Sequence, residues 1–98
     1  MVKTIKWNKR ALKRLREIID YFHSEGQNQA AVKFVDTIYE KLELIKKQPT
    51  IGRPSPNTKT MREFNIDKYR KMYYRINGSI IHISTFFDMR QDPKKRPF

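Results

Sequence analysis

Arg62, Arg70, Arg75, Arg90, Lys94, Lys95 and Arg96 carry the most distinctive chemistry that this sequence offers. All fall on expected strands or on the tail just beyond one, where side chains from neighbouring strands converge. Arginine presents a rigid fork of donors that matches a phosphate, and Tyr69, Tyr73 and Tyr74 stand among these cations as rings on which bases can stack. That combination suits single-stranded RNA. The same tyrosines also satisfy plain β propensity, so the rings alone leave both roles open. Arg70 is more pointed. It shares a strand face with Met72 and Tyr74, where a charge needs either an open edge or a carboxylate such as Asp88 or Glu63.

The reaction open to such a set is metal-free cleavage of RNA. The substrate's own 2′-hydroxyl is then the nucleophile, and the protein supplies a base, an acid and cations for the developing phosphorane charge. Arginines suit the last task and are poor at the first two. His82 is flanked by isoleucines and has no second His or acid at ligand spacing, so it reads as a sheet histidine rather than a metal ligand. Cysteine is absent, which removes disulfides, thiolate metal sites and thiol catalysis, and fits a cytoplasmic setting. No Walker loop, paired-glycine nucleotide fingerprint or nucleophile motif occurs. The sequence implies no metal and no cofactor.

Ninety-eight residues are expected to form one domain, 1–98, since two halves would each be too short to bury a core unaided. The formal charge is +12, from 22 basic against 10 acidic residues, far more than solubility asks of a small domain. A polyanion is the expected partner, either nucleic acid or an acidic protein. Eleven of the basic residues lie on each side of Thr50, and fewer acids accompany the second set. Lys9, Arg10, Lys13, Arg14 and Arg16 cluster on the first helix, where a solvated face competes with partner contact as the reading. No apolar run approaches the length of a membrane span or a leader segment, so no membrane partner is expected.

Positioning falls to a short series of elements. Val2 to Trp7 alternates as a strand, and Asn8 caps a helix that carries Ala11, Leu12, Leu15, Ile18, Ile19 and Phe22 on one stripe until Gly26 stops it. Trp7 and Leu12 are placed to staple its first turn. A second helix spans about Asn28 to Lys47, with Ala31, Phe34, Val35, Ile38, Leu42 and Ile45 inward, and Pro49 marks its end. Pro49 to Thr60 reads as a proline-limited loop. Three strands follow, Met61 to Ile66, Tyr69 to Ile76 and Ser79 to Phe87, and Asn77-Gly78 signals a type I′ hairpin between the last two. The order is β-α-α-β-β-β. The fold class is α+β, an antiparallel sheet with an N-terminal helical hairpin on one face.

Several marks along this order carry a resemblance. They are Trp7 leading into a helix with Ala11 and Leu15, the helix end Ile45 to Pro49 followed by Gly52, then Arg62-Glu63, Tyr69-Arg70 with Tyr73, and Asp88 to Pro93 with Arg90 between. Over nearly its whole length the chain resembles the RelE/ParE toxins of type II toxin–antitoxin modules. That resemblance implies a cytoplasmic growth-arresting toxin neutralised by a cognate acidic antitoxin. Two activities come with it, cleavage of mRNA on the ribosome and poisoning of DNA gyrase. In the ribonuclease pattern Arg70 matches the third-strand arginine and Arg90 the arginine after the last strand, with Arg62 as a further catalytic candidate. Met61 and Glu63 stand where that pattern has lysines, leaving Lys59 and Arg62 as neighbours, and Arg96 stands where it has a terminal tyrosine. Lys59, Tyr69, Tyr73, Arg75, Lys94, Lys95 and Arg96 complete the expected nucleic-acid surface. Gyrase poisoning needs no ribonuclease set, and a non-catalytic nucleic-acid-binding module or a degenerate toxin is the competing class.

Overall fold

A computed structural model describes residues 3–98, so the Val2 end of the expected first strand lies outside the described residues. Thr4–Trp7 form β1. Asn8 caps α1 (Lys9–Ser24) by accepting the Ala11 N–H on Oδ1 at 2.8 Å, which satisfies a donor that the first turn leaves free. The helix closes at Gly26, whose φ of +69° lets the Gln27 N–H return to the Phe22 carbonyl at 2.7 Å. Glycine takes that left-handed backbone without a Cβ penalty. α2 (Asn28–Lys47) follows at once. Its Ala31, Phe34, Ile38, Leu42 and Ile45 are buried with Ala11, Ile18 and Phe22 of α1. The expected staple is replaced: Leu12 is half-exposed, and the Trp7 ring packs on Phe86 with centroids 5.9 Å apart.

Four more strands complete one sheet: β2 (Arg53–Ser55), β3 (Thr58–Asn65), β4 (Arg70–Asn77) and β5 (Ile80–Asp88), in the order β1-β5-β4-β3-β2. The α+β architecture is as expected, with the helical hairpin covering one face. Two details differ. The stretch read as loop contains β2, paired with β3 through Arg53↔Glu63 and Pro54↔Arg62; an edge strand tolerates a proline that cannot donate. The sheet is also mixed, because β1 pairs parallel with β5 from Thr4↔Ile80 to Trp7↔Ile83. Alternation along a strand fixes its faces and carries no sign of its direction. At the last hairpin Asn77 pairs with Ile80, so the two-residue loop is Gly78-Ser79, with φ +60° at Gly78 and no positive φ at Asn77 or Ser79. That is the φ signature of a type II′ turn in place of I′.

Toward the helices the sheet contributes Ile66, Met72, Tyr74, Ile81, Ile83 and Phe86 to the main core. Its other face is also covered. Met61, Tyr73 and Phe87 form a second cluster closed by Phe98, whose ring lies 5.4 Å from that of Tyr73. The C-terminal segment therefore folds back across the sheet after a 3-10 turn at Pro93–Lys95, which the Asp92 side chain caps. Tyr74 fastens the helix-to-strand connection: its hydroxyl donates to the Pro49 carbonyl at 2.7 Å and accepts the Gly52 N–H at 2.9 Å. A Cβ on Gly52 would sit 2.6 Å from that hydroxyl oxygen. Among the described residues no helix is long and apolar enough to cross a membrane.

Candidate functional site

Two aspartate-built turns place the arginines. Asp67 Oδ1 accepts the backbone N–H groups of Tyr69 and Arg70, each at 2.8 Å, and so shapes the turn between β3 and β4. Asp88 Oδ1 does the same for the Arg90 N–H at 2.9 Å as β5 ends. Short aspartate side chains bond the backbone two or three residues on, which explains both turns from local sequence. Arg70 and Asp88 are direct partners across β4 and β5. The two turns therefore stand side by side at one end of the sheet.

Between this end and α1 lies an open cavity of about 340 Å³, walled by Arg14, Glu17, Ile18, Tyr21, Arg70, Phe86, Asp88, Arg90 and Gln91. Arg70 is 7% exposed, with its guanidinium 5.0 Å from the Phe22 ring centroid and 5.5 Å from that of Phe34. Its ion-pair contact is to Asp67 at 3.6 Å, and among the described residues its guanidinium makes no hydrogen bond. Rings on one side offer cation–π attraction, while donor capacity is left for the cavity. Arg90 is exposed and lies 4.4 Å from the Tyr69 ring centroid. It grips Asp88 in a fork, Nε to Oδ1 at 3.0 Å and Nη2 to Oδ2 at 2.7 Å. Those hydrogen bonds, against partial burial and helped by the Arg90 N–H and the charges of Arg90 and Arg70, hold the Asp88 carboxyl down at about 2. It is a fixed anion at neutral pH.

The other expected residues divide between two faces. Arg62 does not join the cavity; its Nη1 donates to the Gly52 carbonyl at 2.6 Å and the Thr50 carbonyl at 3.3 Å, tying down the connection after α2. Tyr73 is fully buried under Phe98, so its ring is not available for stacking. Arg96 is half-buried and donates to Glu63 Oε2 at 2.8 Å. Lys59 is exposed near the β2–β3 turn and Arg75 is half-buried opposite His82, both away from the cavity walls. His82, half-buried, also has Lys6 as its partner on β1. Lys94 and Lys95 are exposed in the 3-10 turn. Tyr69 is 40% exposed beside Arg90.

Sequence reading missed a hub on the far face. Glu63 is 4% exposed and meets Lys71 at 3.2 Å, Arg53 at 3.3 Å and Arg96 at 2.8 Å. Burial pushes its carboxyl up, but Lys71 and Arg96 outweigh that and leave it below the ordinary range. Nearby, the Tyr73 hydroxyl and Arg96 Nε are buried without a hydrogen-bond partner. The reading also missed Arg14, Glu17 and Tyr21 as cavity walls. Their spacing of three and four on α1 was the available signal, but they fall beside the apolar stripe, where Arg14 alone had been read, as either a solvated face or a partner contact. Among the described residues no three His, Asp or Glu side chains gather as a metal site would need.

A mixed sheet with a helical hairpin on one face defines the class. The fold is that of toxins from type II toxin–antitoxin systems, and solved structures share it. A structure of the chromosomal ParDE system from P. aeruginosa matches with TM-score 0.73 at 20% identity, over 89% of this chain and 96% of that one. A YoeB/ParE toxin from Agrobacterium tumefaciens gives 0.64 at 13% over 87% and 96%, and the E. coli DinJ–YafQ complex gives 0.63 at 7% over 92% and 96%. No curated sequence matches. The sequence model of the ParE toxin of the type II toxin–antitoxin system parDE matches residues 5–93, and the chain belongs to that family.

Proposed function

We propose that this toxin arrests growth in the cytoplasm by poisoning DNA gyrase and is silenced by a cognate acidic antitoxin, rather than by cutting mRNA. The observation that carries this reading is the state of Asp88, the one of the cavity's two carboxylates that stands between its arginines. It lies opposite Arg70 on the neighbouring strand and in the grip of Arg90, and is clamped as an anion at about 2. A group that far below neutrality is a feeble proton acceptor and holds no proton to give. Arg62, the third catalytic candidate, is committed to backbone carbonyls elsewhere. The family membership supports the same direction, and the toxin–antitoxin complexes among the structural neighbours support an antitoxin partner.

The test pairs a readout on purified protein with one in cells expressing the chain without an antitoxin. Purified protein is expected to inhibit supercoiling by gyrase, and primer extension on mRNA from arrested cells is expected to show no new cuts in ribosomal A-site codons. Arg90→Ala and Arg70→Ala are expected to relieve arrest, singly in part and together fully. New cuts with intact supercoiling would reverse the mechanism. Intact supercoiling with no new cuts would leave a nucleic-acid-binding or degenerate module, and unchanged toxicity in the double variant would sink the site.

A further inference from the structure

The basic cluster on α1 has a wall opposite it. Arg10, Lys13 and Arg14 border a second opening of about 330 Å³, whose other side is Thr85, Phe86 and Phe87 of β5 with Gln91, Lys95 and Pro97 of the C-terminal segment. This opening and the arginine-walled cavity have Arg14, Glu17, Phe86 and Gln91 in common. They form one groove along α1, because β1 covers β5 only as far as Ile83 and leaves the edge beyond it open. Cations line both ends: Arg10, Lys13, Arg14 and Lys95 at one, Arg70 and Arg90 at the other. The groove's two acids are weak opposition. Asp88 is matched by Arg90 at 2.7 Å, and Glu17 stands 3.9 Å from Arg14.

We infer that this groove holds a single strand of DNA. The inference rests on the gyrase reading above and adds to it that the toxin grips the DNA of the gyrase complex as well as the protein. A cationic groove that tracks a phosphodiester backbone and offers rings to its bases is the general design for single-strand binding. Here Arg10 and Arg14 are about one helical turn, roughly 5.4 Å, apart, so α1 presents its cations as a row along the groove. Tyr21, half-exposed on the cavity wall, supplies a ring. Arg70, buried and with donors unspent, faces a phosphate or a base edge there. The strand path runs from Lys95 past Arg10 and Arg14 to Tyr21, and so lies on the α1 side of the molecule. The expected far-face residues Lys59 and Arg75 take no part.

Binding of a fluorescein-labelled single-stranded DNA 12-mer to the full chain, followed by anisotropy across a salt series, tests this. Arg10→Gln with Lys13→Gln is expected to weaken binding at least tenfold at low salt and to lower the slope of log affinity against log salt by about 1.4, roughly 0.7 for each lost phosphate contact. Tyr21→Ala is expected to lose about tenfold with the slope unchanged, as a stacking ring would. The matched control Lys46→Gln with Lys47→Gln, the same charge change at the end of α2, is expected to move affinity less than twofold. Equal losses in groove and control variants would overturn the groove and leave diffuse charge attraction. Displacement of the strand by poly-glutamate as effectively as by unlabelled DNA would overturn it in favour of an acidic peptide, and much tighter binding of the same sequence as RNA in favour of RNA. Supercoiling assays on the same variants separate the two claims. Inhibition retained by Arg10→Gln with Lys13→Gln defeats the groove alone, whereas a wild-type chain that leaves supercoiling intact defeats the gyrase reading while the anisotropy still judges strand binding.

Discussion

Asp88 and Tyr74 show how much single side chains fix, one holding the charge at the cavity and the other fastening the connection after α2. Asp88 holds Arg90 and is held at about 2, below its ordinary 3.8. A carboxyl depressed on folding adds stability that is complete above its unfolded pKa and is lost as pH falls through the folded one. We expect acid destabilisation between about pH 4 and pH 2, of order 1 kcal/mol for an ion pair this open to solvent. Urea titrations at pH 5 and pH 2.5 check it, since Asp88→Asn should reduce the difference between them. Glu63, also depressed, contributes with the same sign, so the difference should shrink and not vanish. Tyr74→Phe removes one donor and one acceptor, leaving the Gly52 N–H and the Pro49 carbonyl without their partner. A loss of about 1–3 kcal/mol is expected in urea unfolding. Neither role was legible in sequence, where Asp88 read only as a possible partner for Arg70 and Tyr74 as a ring suited either to bases or to plain β propensity.

At the scale of elements, the helices announced themselves and the sheet did so only in part. Asn8, Gly26 and Pro49 bound two apolar stripes, and the observed α1 and α2 fill those bounds. Helix ends depend on capping chemistry within a few residues, which local sequence carries. Strand edges depend on partners far along the chain. β2 was hidden because Pro54 and Pro56 signal a turn, and only the pairing with β3 makes that stretch a strand. The turn at Gly78 moved by one residue for the same reason, since cross-strand register decides which two residues are left out. Gly78→Ala should cost about 1 kcal/mol, because alanine resists the positive φ there. The C-terminal segment is the least expected element. Removing residues 96–98 takes Arg96 from Glu63 and Phe98 from Tyr73, and should cost about 2–4 kcal/mol in unfolding free energy. Hydrogen exchange should then rise at Lys71 and Tyr73 ahead of the helix-facing core.

Taken whole, the molecule is a cation whose charge is sorted by the fold. Its +12 predicts fast, salt-sensitive association with the proposed acidic antitoxin: the on-rate should fall steeply between low and physiological salt while the dissociation rate changes little, as stopped-flow mixing would show. Charge, composition and periodicity by themselves determined an α+β fold with a helical hairpin on a sheet, and pointed to an anionic partner, because these follow from sums and short-range patterns. The tertiary structure alone decided which cations act together. Arg62 and Arg70 lie on the same side of the sheet, yet one fastens a connection and the other walls a cavity, because their strand positions put them beside different neighbours. Arg96 and Tyr73 were drawn into the cover of the far face by a tail that returns to Glu63, and Arg14 and Tyr21 were brought to the site from a helix far away in sequence. Convergence of that kind is a property of packing between distant segments, and no window of sequence contains it.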